Sequence, residues 1–177
     1  MLRIVLIGLV VVVVALLVVI ALQPAAFRIE RSATMAAPPA AVFAEVNDFH
    51  NWEAWNPWQK VDPAAKNTYS GAAAGPGSTF AWQGNKDVGE GRMTILESRP
   101  NELVKIKLEF LKPFAATNTA DFTFVPSGGQ TRVTWAMSGK NGFMAKAIGL
   151  VMNMDEMVGG QFEKGLADLK SIVETRS

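Results

Sequence analysis

Few side chains in this chain have the types and spacing for covalent chemistry. Cysteine is absent and His50 is the single histidine, so thiol nucleophiles, thiolate metal sites and histidine-based triads are hard to assemble. His50 stands beside a run of tryptophans and reads as a structural histidine. Glu90 and Arg92 lie two apart in an alternating stretch, which puts both on one wet strand face as a solvated pair rather than as a catalytic acid and its partner. Asp155 is the exception. It interrupts an apolar helical stripe, where it would be one charge inside the molecule, paired with an arginine or lysine from the sheet; burial and pairing both shift the protonation of a carboxylate. These residues imply no metal site, no cofactor and no catalytic constellation.

Apolar and aromatic surface is what the chain offers in quantity. Trp52, Trp55 and Trp58 fall within seven residues. They have three uses open to them: a gate at a cavity mouth, a cap on the core, or contact with a bilayer. Tyr69, Trp82 and Trp135 belong near the same cavity. Met144, Met152, Met154 and Met157 cluster late in the chain, as adaptable pocket lining or as ordinary core. Gly89 and Gly91 share a strand face with Met93 and Ile95, so the strand either bends there or is closely approached by another group. Gly159 and Gly160 sit in a helical stretch, where each costs about 1 kcal/mol relative to alanine; a kink, or close approach by a ligand or strand, offsets that. The candidate ligand-binding residues are therefore Trp55, Trp58, Tyr69, Trp82, Met93, Trp135, Met152 and Asp155.

The elements that must position these residues follow from periodicity. Apolar residues recur at Ile148, Met152, Val158, Phe162, Leu166, Leu169 and Val173, the three-to-four spacing of one helix face, and predict one long helix from about Gly142 to Thr175. Before it, alternation predicts strands over 27–36, 66–71, 78–84, 89–99, 102–110, 115–126 and 130–138, joined by tight turns that make neighbours antiparallel. Val104, Ile106, Leu108 and Phe110 oppose Lys105, Lys107 and Glu109. One dry and one wet face per strand means a sheet covered on one side only, and the terminal helix is the cover. Pro38-Pro39 opens a short helix through about Val46, and a second helical or turn segment carries Phe49 to Trp55 until Asn56-Pro57 stops it.

Length and charge bound the rest. With 177 residues and 49% hydrophobic content, one domain plus an appendage fits. A net charge of +1 implies no nucleic-acid partner. The appendage is residues 1–23: Leu2 to Leu22 is almost wholly Val, Leu, Ile and Ala with Arg3 as its single charge, about the 20 residues a transmembrane helix needs. That run exceeds a signal-peptide core, so an uncleaved single-pass anchor is expected. Arg3 at the amino terminus favours N-inside and an extracytoplasmic domain, against Arg28 and Arg31 after the span. The folded domain is expected over 27–177.

The order strand, two short helices, six strands, long helix resembles the START and polyketide-cyclase superfamily, the helix-grip fold. The motifs Ala37-Pro38-Pro39-Ala40-Ala41-Val42-Phe43, Trp52-Glu53-Ala54-Trp55-Asn56-Pro57-Trp58, Val88-Gly89-Glu90-Gly91-Arg92-Met93 and Phe162-Glu163-Lys164-Gly165-Leu166 fall in the matching order. The resemblance implies an α+β fold with a seven-stranded curved antiparallel sheet, and a deep apolar cavity between sheet and C-terminal helix. Three functions follow as expectations: a membrane-anchored binding protein for a small hydrophobic ligand such as a lipid, isoprenoid or aromatic; a cyclase or dehydratase; or a tethered domain acting on a membrane partner through Trp52 to Trp58.

Overall fold

The computed structural model describes residues 2–176. Helix α1 (Leu2–Leu22) leads into strand β1 (Ala26–Met35), helix α2 (Pro39–Asn47), a 3-10 turn (Phe49–Ala54) and helix α3 (Pro57–Val61). Strands β2 (Lys66–Gly71), β3 (Ser78–Gln83), β4 (Glu90–Arg99), β5 (Leu103–Lys112), β6 (Ala116–Ser127) and β7 (Gln130–Lys140) follow. Helices α4 (Phe143–Gly149) and α5 (Met154–Thr175) close the chain. The seven strands form one antiparallel sheet in the order β1-β7-β6-β5-β4-β3-β2.

Side-chain alternation decides which face is dry. Along β5, Val104 and Ile106 are fully buried, while Lys107 and Glu109 pair with each other on the opposite face. Antiparallel register then stacks apolar residues of neighbouring strands on that one face: Phe122 opposite Trp135, Ile106 opposite Ala120, Met93 opposite Leu108. Register shifts at Glu90/Gly91 and Ile95/Glu97 in β4 mark bulges, which bend the strand. Helix α5 lays Phe162, Gly165, Leu166, Leu169 and Val173 on the dry face. Burying each of its large apolar side chains contributes about 2 kcal/mol.

One expected element is corrected. The terminal helix is not continuous from Gly142. Strand β7 ends at Lys140, so the segment after it has no sheet beneath it, and no residue of α4 is buried. The chain then turns, and the Asn153 side chain accepts from the Glu156 N–H at 3.2 Å to start α5 afresh. The 3-10 turn ends at Ala54, just before Asn56-Pro57 as expected, and the same pair also opens a further helix, α3. Asn56 Oδ1 accepts from the Trp58 N–H at 3.1 Å, and proline occupies the first helical turn, where its missing N–H has no partner to lose.

Candidate ligand-binding cavity

Between sheet and α5 lies a cavity of about 290 Å³. Its sheet-side wall is Phe80, Trp82, Met93, Leu108, Phe110 and Met137, and its helix-side wall is Val158, Phe162 and Met154. Trp58 and Trp135 close one flank, with ring centroids 5.8 Å apart and edge to face. On the other side Trp82 stacks on Phe80 at 6.0 Å and meets Phe110 edge-on at 6.1 Å. Among the lining residues only Asp87 and Met154 are exposed, so the mouth lies between the β3–β4 turn and the start of α5.

Polar groups enter the wall from α3 and β2. Asn67 Nδ2 donates to Gln59 Oε1 at 2.9 Å, which holds the two amides together, and Asn56 adds a third amide beside them. Trp135 has its indole N–H buried with no partner, a state that costs about 1–3 kcal/mol until an acceptor is supplied. Chemically the site is an apolar pocket with a few neutral hydrogen-bonding groups, the composition of small-molecule pockets in general.

The candidate residues divide. Trp58, Trp82, Met93 and Trp135 line the cavity. Trp55 sits one layer behind: it is fully buried and packs on Trp52 at 4.5 Å and Trp135 at 5.8 Å. Tyr69 lies outside the lining. Its ring stacks on His50 at 4.4 Å and its hydroxyl donates to Glu53 at 2.9 Å; burial first, then the Glu53 carboxylate, push the phenol above its ordinary range. Met152 is exposed on the α4–α5 link, and Met154, two residues on, lines the cavity instead.

Asp155 is not an internal charge. Its side chain is 59% exposed and accepts from Arg31 of β1 at 2.9 Å, a hydrogen bond that holds its carboxyl below the usual range. Arg31 also donates to Glu163 at 2.7 Å, so one guanidinium ties two turns of α5 to the edge strand. Gly159 makes room for it, since a Cβ there would meet the Arg31 guanidinium. The small residue accommodates an arginine, not a ligand. Gly91 has the same logic: a Cβ would strike the Trp82 ring and the Glu109 carbonyl, so what approaches this strand is an indole.

Of the three uses open to the tryptophans, bilayer contact is overturned for Trp52 and Trp55, which are buried in the core. Trp52 also donates its indole N–H to the Val46 carbonyl at 2.9 Å. His50 pairs with Asp48, whose Oδ1 lies 2.8 Å from its Nδ1, as suits a structural histidine. Sequence reasoning left Phe80, Val158 and the amides Asn56, Gln59 and Asn67 out of the cavity. Phe80 shares the strand parity of Trp82, a signal that was available; the amides carry none, because polar residues beside a turn are ordinarily solvated.

Comparison with known proteins agrees with this architecture. Protein CV1439 from Chromobacterium violaceum is 16% identical, with a TM-score of 0.60 over 86% of this chain and 99% of its own. The Aha1 dimer from Colwellia psychrerythraea gives 17% identity and a TM-score of 0.60 over 84% and 96%. The di-domain ARO/CYC StfQ from the steffimycin biosynthetic pathway gives 12% and 0.61 over 86% of this chain and 52% of its own. At these identities the likeness is one of fold. No curated protein matches the chain. The family model described as polyketide cyclase / dehydrase and lipid transport matches residues 26–174, the whole stretch from β1 to the last turn of α5, and the chain belongs to that family.

Proposed function

We propose that this protein is a membrane-anchored binding protein for one small hydrophobic molecule held between sheet and α5. The observation that carries the reading is the cavity of about 290 Å³ walled by aromatic and methionine side chains. That volume is at the low end for small-molecule pockets, which suits a compact isoprenoid or aromatic, or one end of a longer lipid. Anchoring rests on α1, a 21-residue apolar helix near the N-terminus, long enough to cross a bilayer. Its last turn joins the folded domain: Ile20 is buried, and the Ala21 carbonyl accepts from Lys146 Nζ at 3.1 Å. A segment integrated in this way supports retention over removal. Native mass spectrometry of the full-length chain, released from mild detergent, is expected to show a bound apolar compound in stoichiometric amount. A bare chain that also fails to take up hydrophobic fluorescent probes would sink the reading.

A cyclase or dehydratase reading is favoured by one feature, the Gln59–Asn67 amide pair with Asn56 on an otherwise apolar wall. Such groups would hold the carbonyls of a folded reactive chain. Recovery of a chemically changed compound from the same preparation, rather than the compound supplied, would favour it.

A further inference from the structure

The end of the domain nearest α1 carries uncovered apolar side chains. Phe143 and Met144 of α4, and Leu150, Val151 and Met152 after it, are all exposed, Val151 at 85%. Leu111 at the end of β5 and Phe114 of the β5–β6 turn are exposed as well. The antiparallel order places these groups at one end of the sheet: β1 begins there opposite Lys140, where β7 ends, and the β5–β6 and β3–β4 turns share that end. Uncovered apolar area of this kind marks a docking surface.

The occupant follows from continuity with α1. Lys146 of α4 donates its Nζ to the Ala21 carbonyl at 3.1 Å, and Ile20 is the only buried residue of α1. Helix α4 is therefore level with the last turn of the membrane helix, at the depth where a bilayer has its headgroups. Lys140 before α4 and Lys146 within it bracket Phe143 and Met144, the arrangement in which lysine heads reach anionic headgroups while apolar neighbours sink below them. The opposite end of the sheet, at the β6–β7 turn, presents Ser127, Gly128, Gly129 and Gln130 to solvent.

We infer that α4, the 150–152 link and the β5–β6 turn lie in the headgroup layer of the membrane that α1 spans. The cavity mouth between Asp87 and Met154 is at the same end, so a ligand enters from lipid without crossing bulk water. The inference rests on the anchoring proposed above. It is tested on the full chain in liposomes of phosphatidylcholine and phosphatidylglycerol. Because the chain has no native cysteine, Val151→Cys, Phe114→Cys, Ser127→Cys and Val11→Cys can each carry one environment-sensitive dye. Dyes at Val151 and Phe114 are expected to emit at shorter wavelength than the dye at Ser127, to lose intensity with brominated acyl chains, and to resist aqueous iodide. If the Val11 dye is shielded by lipid while the Val151 dye is open to iodide, this inference fails and the anchor stands. If the Val11 dye is itself open to iodide, the anchor fails and this inference with it. A shortened wavelength at Val151 that brominated lipid leaves unchanged means that protein covers the surface, and overturns the assignment to lipid.

Discussion

The indole of Trp135 lies flat on the ring of Phe162, with centroids 4.2 Å apart and planes 12° from parallel. Trp135 is on β7, inside the sheet, and Phe162 is on α5, so this stack is where helix and sheet grip each other and where the cavity wall turns from one to the other. One helical turn later, Gly165 lets the same indole and Pro57 come close to the helix backbone.

Removing the phenyl ring should loosen the grip. Phe162→Ala is expected to destabilise the fold by about 3–5 kcal/mol, the range for deleting a buried aromatic. Urea unfolding of the full chain in detergent reads it. An unchanged midpoint would mean that α5 is held by its other contacts alone.

Two glycines of α5 should respond with opposite sign. A Cβ at Gly165 would meet the Trp135 ring at 2.8 Å and Pro57 Cδ at 3.0 Å, so Gly165→Ala is expected to cost about 1–3 kcal/mol by overpacking. At Gly160 a Cβ meets nothing within 4 Å, and Gly160→Ala is expected to stabilise by up to about 1 kcal/mol through helix propensity. Thermal melts of the two variants side by side decide it.

The wet face of the sheet has its own pH signature. Glu109 accepts from Arg92 at 2.7 Å and pairs with Lys107 at 2.8 Å. The hydrogen bond from Arg92 first, then that from Lys107, lower its carboxyl from 4.5 to about 2. Because the folded value is the lower one, the unfolded chain takes up the proton more readily. The stabilisation is complete above about pH 4.5 and disappears as pH falls toward about 2. Glu109→Gln should therefore lose stability less steeply than the native chain across that window in denaturant titrations. Parallel slopes would show that the pairing contributes nothing.

Filling the cavity should separate binding from folding. Ala120 on β6 is 4% exposed and lines the cavity. Ala120→Phe is expected to weaken uptake of a hydrophobic fluorescent probe by more than about tenfold, which corresponds to about 1.4 kcal/mol, while the melting temperature changes little. Undiminished uptake would place the bound probe elsewhere.

The charges around α1 oppose one another, Arg3 near its start against Arg28 and Arg31 after it, so the proposed orientation needs a direct test. On the proposed N-inside arrangement, a reporter fused after α5 is expected to be active if it works only outside the cytoplasm. Activity of a cytoplasm-only reporter at that position would reverse the arrangement.

Much of this architecture is determined locally. Strand parity set Val104, Ile106, Phe122 and Trp135 on one face, because successive side chains of a strand must point to opposite sides. Helical spacing put Phe162, Leu166, Leu169 and Val173 on one stripe for the same kind of reason. What local order does not carry is how far an element remains over its partner. Ile148 and Met152 keep the spacing of the α5 stripe, yet the sheet has ended beneath them, so the helix breaks over 150–153 and Met152 is exposed. Asp155 pairs with the sheet, but its own side chain stays at the rim, since Arg31 reaches it from under the helix on the edge strand β1. The amides Gln59 and Asn67 meet through a contact between α3 and β2, and the depth of the cavity depends on how closely Trp135, Phe162 and Trp58 interlock. Those are distances between elements, and only the assembled fold decides them.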